Sequence, residues 1–239
     1  LTYMTLTKRG FTETIEEPLL ANMVGQLPWY NRDYTGRIFL EHKELLEEHV
    51  WLLFRYDTPI AWNDDNAITA FKEGRTKING SLQGLLLSRA ADGRIDRARL
   101  LKSSLEALVM GRSKGSWFVG IIEELQPTSA ELLPHQDLIL QGLTTKLPGS
   151  LKLLLRLLRQ LADEPTFNYN DFIAAISGLL YDMAQTNMSV VCATFESIAK
   201  QHANARPDIC RSLCLVFMNK SEAAQKRAAK LIAKFGDKN

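Results

Sequence analysis

The C-terminal half of the chain carries apolar residues that recur with the period of an α-helix. The clearest stripe lies between Pro148 and Pro165 and consists of Leu151, Leu154, Leu155, Leu158 and Leu161. Similar stripes follow it, and the predicted helix starts near residues 150, 187 and 221 are about 35 residues apart. Those near 170 and 207 are 37 residues apart. This spacing indicates a repeated pair of helices, and it restricts the possible folds more than any other feature of the sequence.

A single helix pair cannot bury its own apolar stripe, so successive pairs have to stack on one another. The predicted pairs have the length of a HEAT-type repeat. The sequence therefore predicts an all-α fold, specifically a right-handed α-solenoid of stacked HEAT-like helix pairs. We expect one domain over residues 1–239, with irregular N-terminal helices in 1–90 and more regular helix pairs in 91–239.

Local signals predict where the C-terminal helices begin and end. Asn170 is expected to cap the helix that contains Phe172, and Ser221 is expected to cap the last helix. Pro207 suits the first turn of a helix, and the helix before it is expected to end near His202. The side chains expected to be buried in this region include Leu179, Ile209, Leu213, Val216 and Phe217.

The N-terminal half has a less regular pattern. We expect helices over 13–24, 37–54, 75–90, 96–110, 116–125 and 129–146. Pro134 falls within the first turns of the last of these, where it either does no harm or kinks the helix. Segments 25–36 and 56–66 lack helical periodicity, and we predict ordered loops held by Trp29, Tyr30 and Trp62.

The composition excludes several classes of protein. Hydrophobic residues make up 46% of the 239 residues, which is too many for a disordered chain. No apolar run reaches the roughly 18 residues of a membrane span. Cys210 and Cys214 are one helical turn apart in an apolar pattern, so we expect buried thiols, a reducing compartment and a cytoplasmic protein. Since the sequence begins at Leu1 instead of Met, we expect a piece of a longer protein.

The middle of the chain carries a distinctive run of residues. The run reads Gly-Arg-Ile-Asp-Arg-Ala-Arg-Leu-Leu-Lys-Ser-Ser-Leu-Glu-Ala-Leu from Gly93 to Leu108, followed by Trp117-Phe118, Leu125-Gln-Pro-Thr and Glu131. It resembles the signature of an uncharacterised bacterial domain-of-unknown-function family with HEAT-like helical repeats, over residues 90–135. The resemblance implies a helical-repeat scaffold from longer proteins, often beside SWIM-type zinc-finger proteins, and no catalytic residue. In this run Gly93 is expected to end a helix, Asp96 to begin the next, and Trp117 to be buried.

Two groups of residues have the composition of a metal site. His42 and His49 are seven residues apart, or about 10 Å along a helix, which is too far for one zinc ion. The second group, Cys192, Cys210, Cys214 and His202, contains no Cys-x-x-Cys pair. We interpret the first group as a solvated acidic helix face and the second as core residues. The sequence therefore predicts no metal and no cofactor.

Sequence patterns of phosphate-dependent catalysis are not found. The chain has no Gly-Lys-Ser or Gly-Lys-Thr run and no phosphate-binding glycine-rich loop. Alkylpurine glycosylases of HEAT-like architecture use an Asp between two Trp residues, and the nearest candidates here are Asp33 near Trp29 and Asp64 near Trp62. We predict that the protein is not an enzyme.

Basic residues form the strongest functional pattern in the sequence. The residues that we name the basic strip are Lys152, Arg156, Arg159, Lys226, Arg227, Lys230 and Lys234. If helices of successive pairs align, these residues share one surface and suit an acidic partner. Glu196 interrupts the strip, and a solvated face is the alternative. We predict a scaffold for protein partners, without a membrane partner. Nucleic-acid or phosphate binding by the strip is the alternative function, although a net charge of +2 does not favour it.

Overall fold

The computed structural model describes residues 5–7, 9–11, 13, 15–27, 43–77, 80–112, 115–143 and 148–236. Helices, joined by turns and bends, account for the regular structure of these residues, and no β-strand occurs among them. The predicted all-α class is therefore confirmed for this part of the chain. The chain divides into two compact units, Leu1–Ala107 with Arg112–Leu125, and Leu108–Gly111 with Gln126–Asn239.

The helices are named in chain order. Those of the first unit are α1 (Glu17–Gly25), α2 (Glu44–Glu47), α3 (Leu52–Arg55), α4 (Ile60–Lys72), α5 (Leu82–Ala91), α6 (Arg97–Val109) and α7 (Gly115–Leu125). The last two residues of α6 group with the second unit. The helices that follow are α8 (Ser129–Leu132), α9 (Gln136–Gly142), α10 (Pro148–Leu161), α11 (Tyr169–Ser177), α12 (Gln185–Gln201), α13 (Arg206–Cys214) and α14 (Glu222–Phe235).

The helices of the second unit pack in two rows. α12 packs against both α10 and α14 in one row, and α11 packs against both α9 and α13 in the other. The helices α10, α12 and α14 begin at Pro148, Gln185 and Glu222, so successive starts are 37 residues apart. The starts of α11 and α13, Tyr169 and Arg206, have the same separation. The repeat spacing predicted from the apolar stripes is therefore present in the helices.

Side-chain hydrogen bonds join corresponding parts of neighbouring helix pairs. The hydroxyl oxygens of Ser177 and Ser212, which are 35 residues apart in sequence, lie 2.7 Å from each other. Asn219 Nδ2 donates to the carbonyl oxygens of Leu180 at 3.1 Å and Met183 at 3.0 Å, across 39 and 36 residues. Because buried polar groups need partners, these bonds fix the position of one helix pair against the next.

Several predicted helix boundaries are confirmed. Pro207 lies in the first turn of α13, and the hydroxyl of Ser221 accepts the N–H of Ala224 at the start of α14. Gly93 follows α5 with a φ of +73°, a conformation that favours glycine at a helix end. The Asp96 carboxylate accepts a backbone N–H in the first turn of α6 at 2.9 Å. These signals act over a few residues, so the sequence alone contains them.

The predicted cap of α11 is wrong. The capping residue is Asn168, whose Oδ1 accepts the N–H of Asp171 at 3.2 Å, whereas Asn170 lies inside the helix. Both asparagines are suitable caps by residue type. The choice is made by Gln136 on α9, since its side-chain oxygen accepts the backbone N–H of Asn168 at 3.0 Å. A contact across 32 residues thus decides where the helix begins.

The segment 56–66, which we predicted to be a loop, is mostly helical. α4 begins at Ile60 directly after Pro59 and continues to Lys72. Trp62 was expected to hold this segment, but its side chain is 65% exposed. Asp64 is buried instead. The Asn and Asp residues of this segment concealed the helix, because they have low intrinsic helix propensity.

Other helices of the N-terminal half are shorter than predicted. α5 begins at Leu82 instead of residue 75, because the hydroxyl of Ser81 caps it by accepting the N–H of Gly84 at 3.0 Å. In the described part of 37–54, a 3-10 turn over His49–Trp51 separates α2 from α3. Trp29 and Tyr30 lie outside the described residues.

Proline interrupts the helix that we predicted over 129–146. α8 ends at Leu132, a 3-10 turn over Leu133–His135 contains Pro134, and α9 begins at Gln136. Proline has no backbone N–H and its ring crowds the preceding turn. We considered that Pro134 either does no harm or kinks the helix, and in the structure the helix is interrupted at this residue.

Candidate functional site

The basic strip begins on α10, a helix that is buried over most of its circumference. Its buried side chains include Leu153, Leu154, Leu155, Leu157, Leu158 and Leu161. α8, α9 and α12 all pack against α10, and a narrow arc remains that carries Lys152 and Arg156, both exposed. Arg159 is half-buried on the same arc, and its Nη1 lies 3.1 Å from Asp163 Oδ2. The charge of Arg159 is therefore neutralised locally.

The rest of the basic strip lies on α14. Its four residues, Lys226, Arg227, Lys230 and Lys234, are all exposed, opposite the buried Ala224, Ala228 and Leu231. Lys226 Nζ lies 2.6 Å from Glu222 Oε1 on the same helix. Lys234 Nζ lies 2.8 Å from Glu196 Oε1 on α12. Half of the basic charges on α14 are thus paired with carboxylates.

Acidic side chains divide the strip in the middle of the row. Glu196 on α12 accepts from Lys234 and also lies 3.0 Å from the Nζ of Lys200, and these two ammonium groups lower the pKa of Glu196 to about 2. Asp163 follows α10 and accepts from the hydroxyl of Ser197. This bond and the nearby Arg159 lower the pKa of Asp163. The structure therefore places the predicted strip residues on one row of helices but separates them into an α10 part and an α14 part.

A groove of about 550 Å³ opens beside the α10 part of the strip. It lies at the start of α10 and α12 and includes the connection between α11 and α12. Its apolar wall is formed by Leu143, Leu151, Leu179 and Met183, and its polar residues include Lys152 and Asp182. No sequence pattern indicates this groove, since its residues come from three separate segments of the chain.

The apolar wall of the groove is firmly held. Leu143 and Met183 are 1% and 5% exposed, and Leu151 and Leu179 are half-buried. Leu179 was expected to be buried, and its remaining exposure faces the groove that it lines. The hydrogen bond from Asn219 to the carbonyl oxygen of Met183 holds the α11–α12 connection in place. The groove is therefore a preformed feature with a basic residue at its edge.

Asp64, a candidate catalytic residue, is 2% exposed in the first unit. Its carboxylate accepts the backbone N–H groups of Leu82 at 2.9 Å and Gln83 at 3.0 Å, and the indole Nε1–H of Trp117 at 2.9 Å. Burial raises the pKa of Asp64, whereas these three hydrogen bonds oppose that rise. Gln83 Nε2 also donates to the carbonyl oxygen of Trp117 at 2.8 Å. The carboxylate thus joins α4, α5 and α7.

The tryptophan beside Asp64 in space is not the one beside it in sequence. Trp117 packs edge-on against Phe118, with ring centroids 5.3 Å apart, and both rings contact Phe54. The predicted burial of Trp117 is confirmed. The other candidate pair, Asp33 and Trp29, lies outside the described residues.

The cysteines differ in their surroundings. Cys192 is buried, which raises the pKa of its thiol to about 11, and Cys210 is half-buried. The prediction that Cys214 is buried is wrong, since this residue is exposed at the end of α13. Phe217 is also 49% exposed, against prediction, because a 3-10 turn over Leu215–Met218 replaces the α-helix and changes the direction of the side chains.

Clusters of three or more His, Cys, Asp or Glu residues suited to a metal ion do not occur in the part of the chain that the structure describes. His42 lies outside that part, so the interpretation of the group of His42 and His49 as a solvated acidic helix face stays a prediction. Within the same described ranges, no helix has the length and apolarity needed to cross a membrane.

Comparison with known proteins finds a family for this sequence. The model of the family described as "Domain of unknown function (DUF6493)" matches residues 1–186. The match includes the signature at 90–135 and extends beyond it on both sides. No curated protein and no solved structure matches the chain.

Proposed function

The chain belongs to the family of domains of unknown function whose model matches it, and from this premise we propose that it is a non-enzymatic scaffold that binds a protein partner. In this proposal it is a right-handed α-solenoid of HEAT-like helix pairs in the cytoplasm of a bacterial cell. Shape would come from the buried leucines and specificity from exposed side chains of the basic strip.

The observation that carries the proposal is the 37-residue spacing of helices that pack in two rows. Packing of every second helix side by side is the arrangement in which stacked helix pairs close one continuous core. Hydrogen bonds across 35 residues, such as that between Ser177 and Ser212, support the same arrangement. A row of this kind presents a surface several helices wide, which suits an extended partner.

A non-enzymatic role is supported by the state of Asp64. A general acid or base has to reach the proton that it transfers. Asp64 is buried and directs its oxygens to three donors of its own chain, so its carboxylate contributes to packing of the first unit. Breaking those bonds to reach a substrate would leave the N–H groups of Leu82 and Gln83 without their acceptor.

The scaffold proposal is tested by affinity capture from the source cells with the intact parent protein as bait. We expect a protein to be retained reproducibly by the wild type and reduced at least fivefold by the double change Lys152→Glu and Arg156→Glu. The control bait carries Glu73→Lys, an exposed charge change in the first unit. Failure of every bait to retain a protein, over repeated captures, contradicts the proposal.

Nucleic-acid or phosphate binding is the second candidate, favoured by the exposed Lys152, Arg156, Arg227 and Lys230. If all four neutralise phosphates, the logarithm of the binding constant should fall with the logarithm of salt concentration, with a slope of about −3 to −4 on duplex DNA. The carboxylates of Asp163 and Glu196 between the two parts of the strip weigh against this function. The absence of binding to a 20-base-pair duplex at 50 mM salt would exclude it.

A further inference from the structure

The groove beside α10 joins an apolar wall to a basic edge. Leu151 and Lys152 are consecutive residues of α10 and both line it, so an apolar and a cationic contact lie next to each other. Arg156 follows Lys152 by one turn, about 6 Å along the same exposed arc. A ligand that enters the groove beside Leu151 therefore meets positive charge on leaving it along α10.

Asp163, one of the carboxylates that divide the strip, does not neutralise Lys152. It is eleven residues from Lys152, or about 16 Å along the direction of α10. This distance exceeds the Debye length of about 8 Å at physiological salt. Asp182, on the α11–α12 connection, is the acidic residue of the described groove lining, and it faces the groove from the other element. The positive edge is thus confined to the α10 side.

We propose that this groove is the docking site for a short acidic segment of the partner protein. A large apolar side chain of that segment occupies the space between Leu151, Leu179 and Met183, and a neighbouring carboxylate pairs with Lys152. The volume of about 550 Å³ lies within the range of about 300–1,000 Å³ typical of ligand pockets. Because Asn219 holds the wall in place, little ordering is needed on binding. The inference rests on the proposed scaffold function and names the chemistry of its partner.

The first experiment selects ligands from a phage-displayed library of random dodecapeptides, with the whole chain as target. We expect the enriched peptides to combine Leu, Phe or Met with Asp or Glu within four positions. A dye-labelled synthetic copy of the strongest peptide is then measured by fluorescence anisotropy at 0.15 M salt. Enrichment of no peptides, or of peptides without acidic residues, overturns the proposal.

The second experiment locates the bound peptide. Lys152→Glu and Leu179→Asp should each weaken binding at least tenfold. Lys220→Glu, a change at an exposed lysine between α13 and α14 that is not part of the basic strip, should change Kd less than twofold. A peptide in which lysines replace the acids should bind the Lys152→Glu variant better than it binds the wild type. Unfolding of the variant cannot make it bind the lysine peptide more tightly than the wild type does. The test therefore remains valid even if Lys152→Glu lowers the stability of the protein. Equal losses in the Lys152 and Lys220 variants, or no reversal, overturn the proposal.

Failure of the groove and failure of the scaffold function give different results. If the Lys152→Glu and Leu179→Asp variants both still retain the captured partner, the scaffold proposal is supported and the proposed docking site in the groove is wrong. If a peptide binds the groove but no bait captures a protein, the docking site is supported and the scaffold proposal is wrong.

Discussion

The two compact units differ in the interactions that stabilise each of them internally. In the second unit, contacts between helices recur at nearly constant sequence separation, as in the bonds of Ser177 with Ser212 and of Asn219 with Met183. In the first unit, a single buried carboxylate, that of Asp64, joins three helices at one point. Repeated contacts share the stabilisation among many residues, whereas a buried carboxyl group with three hydrogen bonds concentrates it. The two units should therefore respond differently to single substitutions.

The largest effect is expected for Asp64→Ala. The change leaves the N–H groups of Leu82, Gln83 and Trp117 buried without an acceptor, which we expect to lower the free energy of unfolding by about 3–5 kcal/mol. Urea denaturation followed by tryptophan fluorescence measures it. Asp65→Ala, at the exposed neighbour, is the matched control and should cost less than about 0.5 kcal/mol. Similar losses in the two variants would contradict a special role for Asp64.

A smaller effect is expected for Asn219→Ala in the second unit. The carbonyl oxygens of Leu180 and Met183 lose their donor, so the free energy of unfolding should fall by about 2 kcal/mol. Hydrogen exchange should show faster exchange in the α11–α12 connection and an unchanged first unit. Asn170→Ala, at an exposed asparagine on α11, is the control. A loss as large as that of Asp64→Ala would abolish the proposed difference between the units.

A weaker contact still is the bond between Ser177 and Ser212. A double-mutant cycle with Ser177→Ala and Ser212→Ala should give a coupling energy of about 1 kcal/mol, because each hydroxyl bonds to the other. Chemical denaturation of the four proteins measures it. Additive effects of the two substitutions would show that this bond contributes nothing to joining the helix pairs.

The smallest effect is expected from Glu196, which lies at the surface. Its folded-state pKa is lowered to about 2, so its stabilisation is present above its ordinary pKa of 4.5 and is lost as pH falls through about 2. The stability difference between wild type and Glu196→Gln should therefore shrink from pH 6 to pH 3. Solvent screens the pair with Lys234, so the whole effect stays small.

Asp64 should show the opposite pH dependence. Its folded-state pKa is raised, so the folded protein favours the protonated form, and this contribution is lost as pH rises through the raised value. The stability difference between wild type and Asp64→Asn should then decrease as pH rises from 4 to 7. The same pH titration of both variants thus compares the two units directly, and equal slopes would contradict the comparison.

Features that depend on interactions between residues close in sequence were predicted, whereas features that depend on distant contacts were not. The boundaries at Pro207, Ser221 and Gly93 were predicted because a ring, a hydroxyl or a missing Cβ acts on the adjacent turn. The choice of Asn168 over Asn170 was missed because Gln136 makes it. α4 was missed since a helix rich in Asn and Asp depends on packing for its stability.

The candidate site shows the same division. Lys152 and Arg156 were predicted to be exposed on one face of a helix, and they are. The groove beside them was not predicted, because Leu143, Leu151 and Leu179 meet only when three segments pack. The pairing of Lys234 with Glu196 across 38 residues was not predicted either, and it divides the basic strip.

By itself the sequence determined the all-α class of the described residues, a spacing of about 35 to 37 residues between the C-terminal helices and the exposed position of Lys152 and Arg156. These properties depend on helical periodicity and on capping, which act between residues at most a few positions apart. Only the tertiary structure decided that Asp64 binds Trp117, that Cys214 is exposed and that a groove opens beside Lys152. Each of these depends on which distant segments come into contact, and the energy of such contacts arises only when the whole unit is packed.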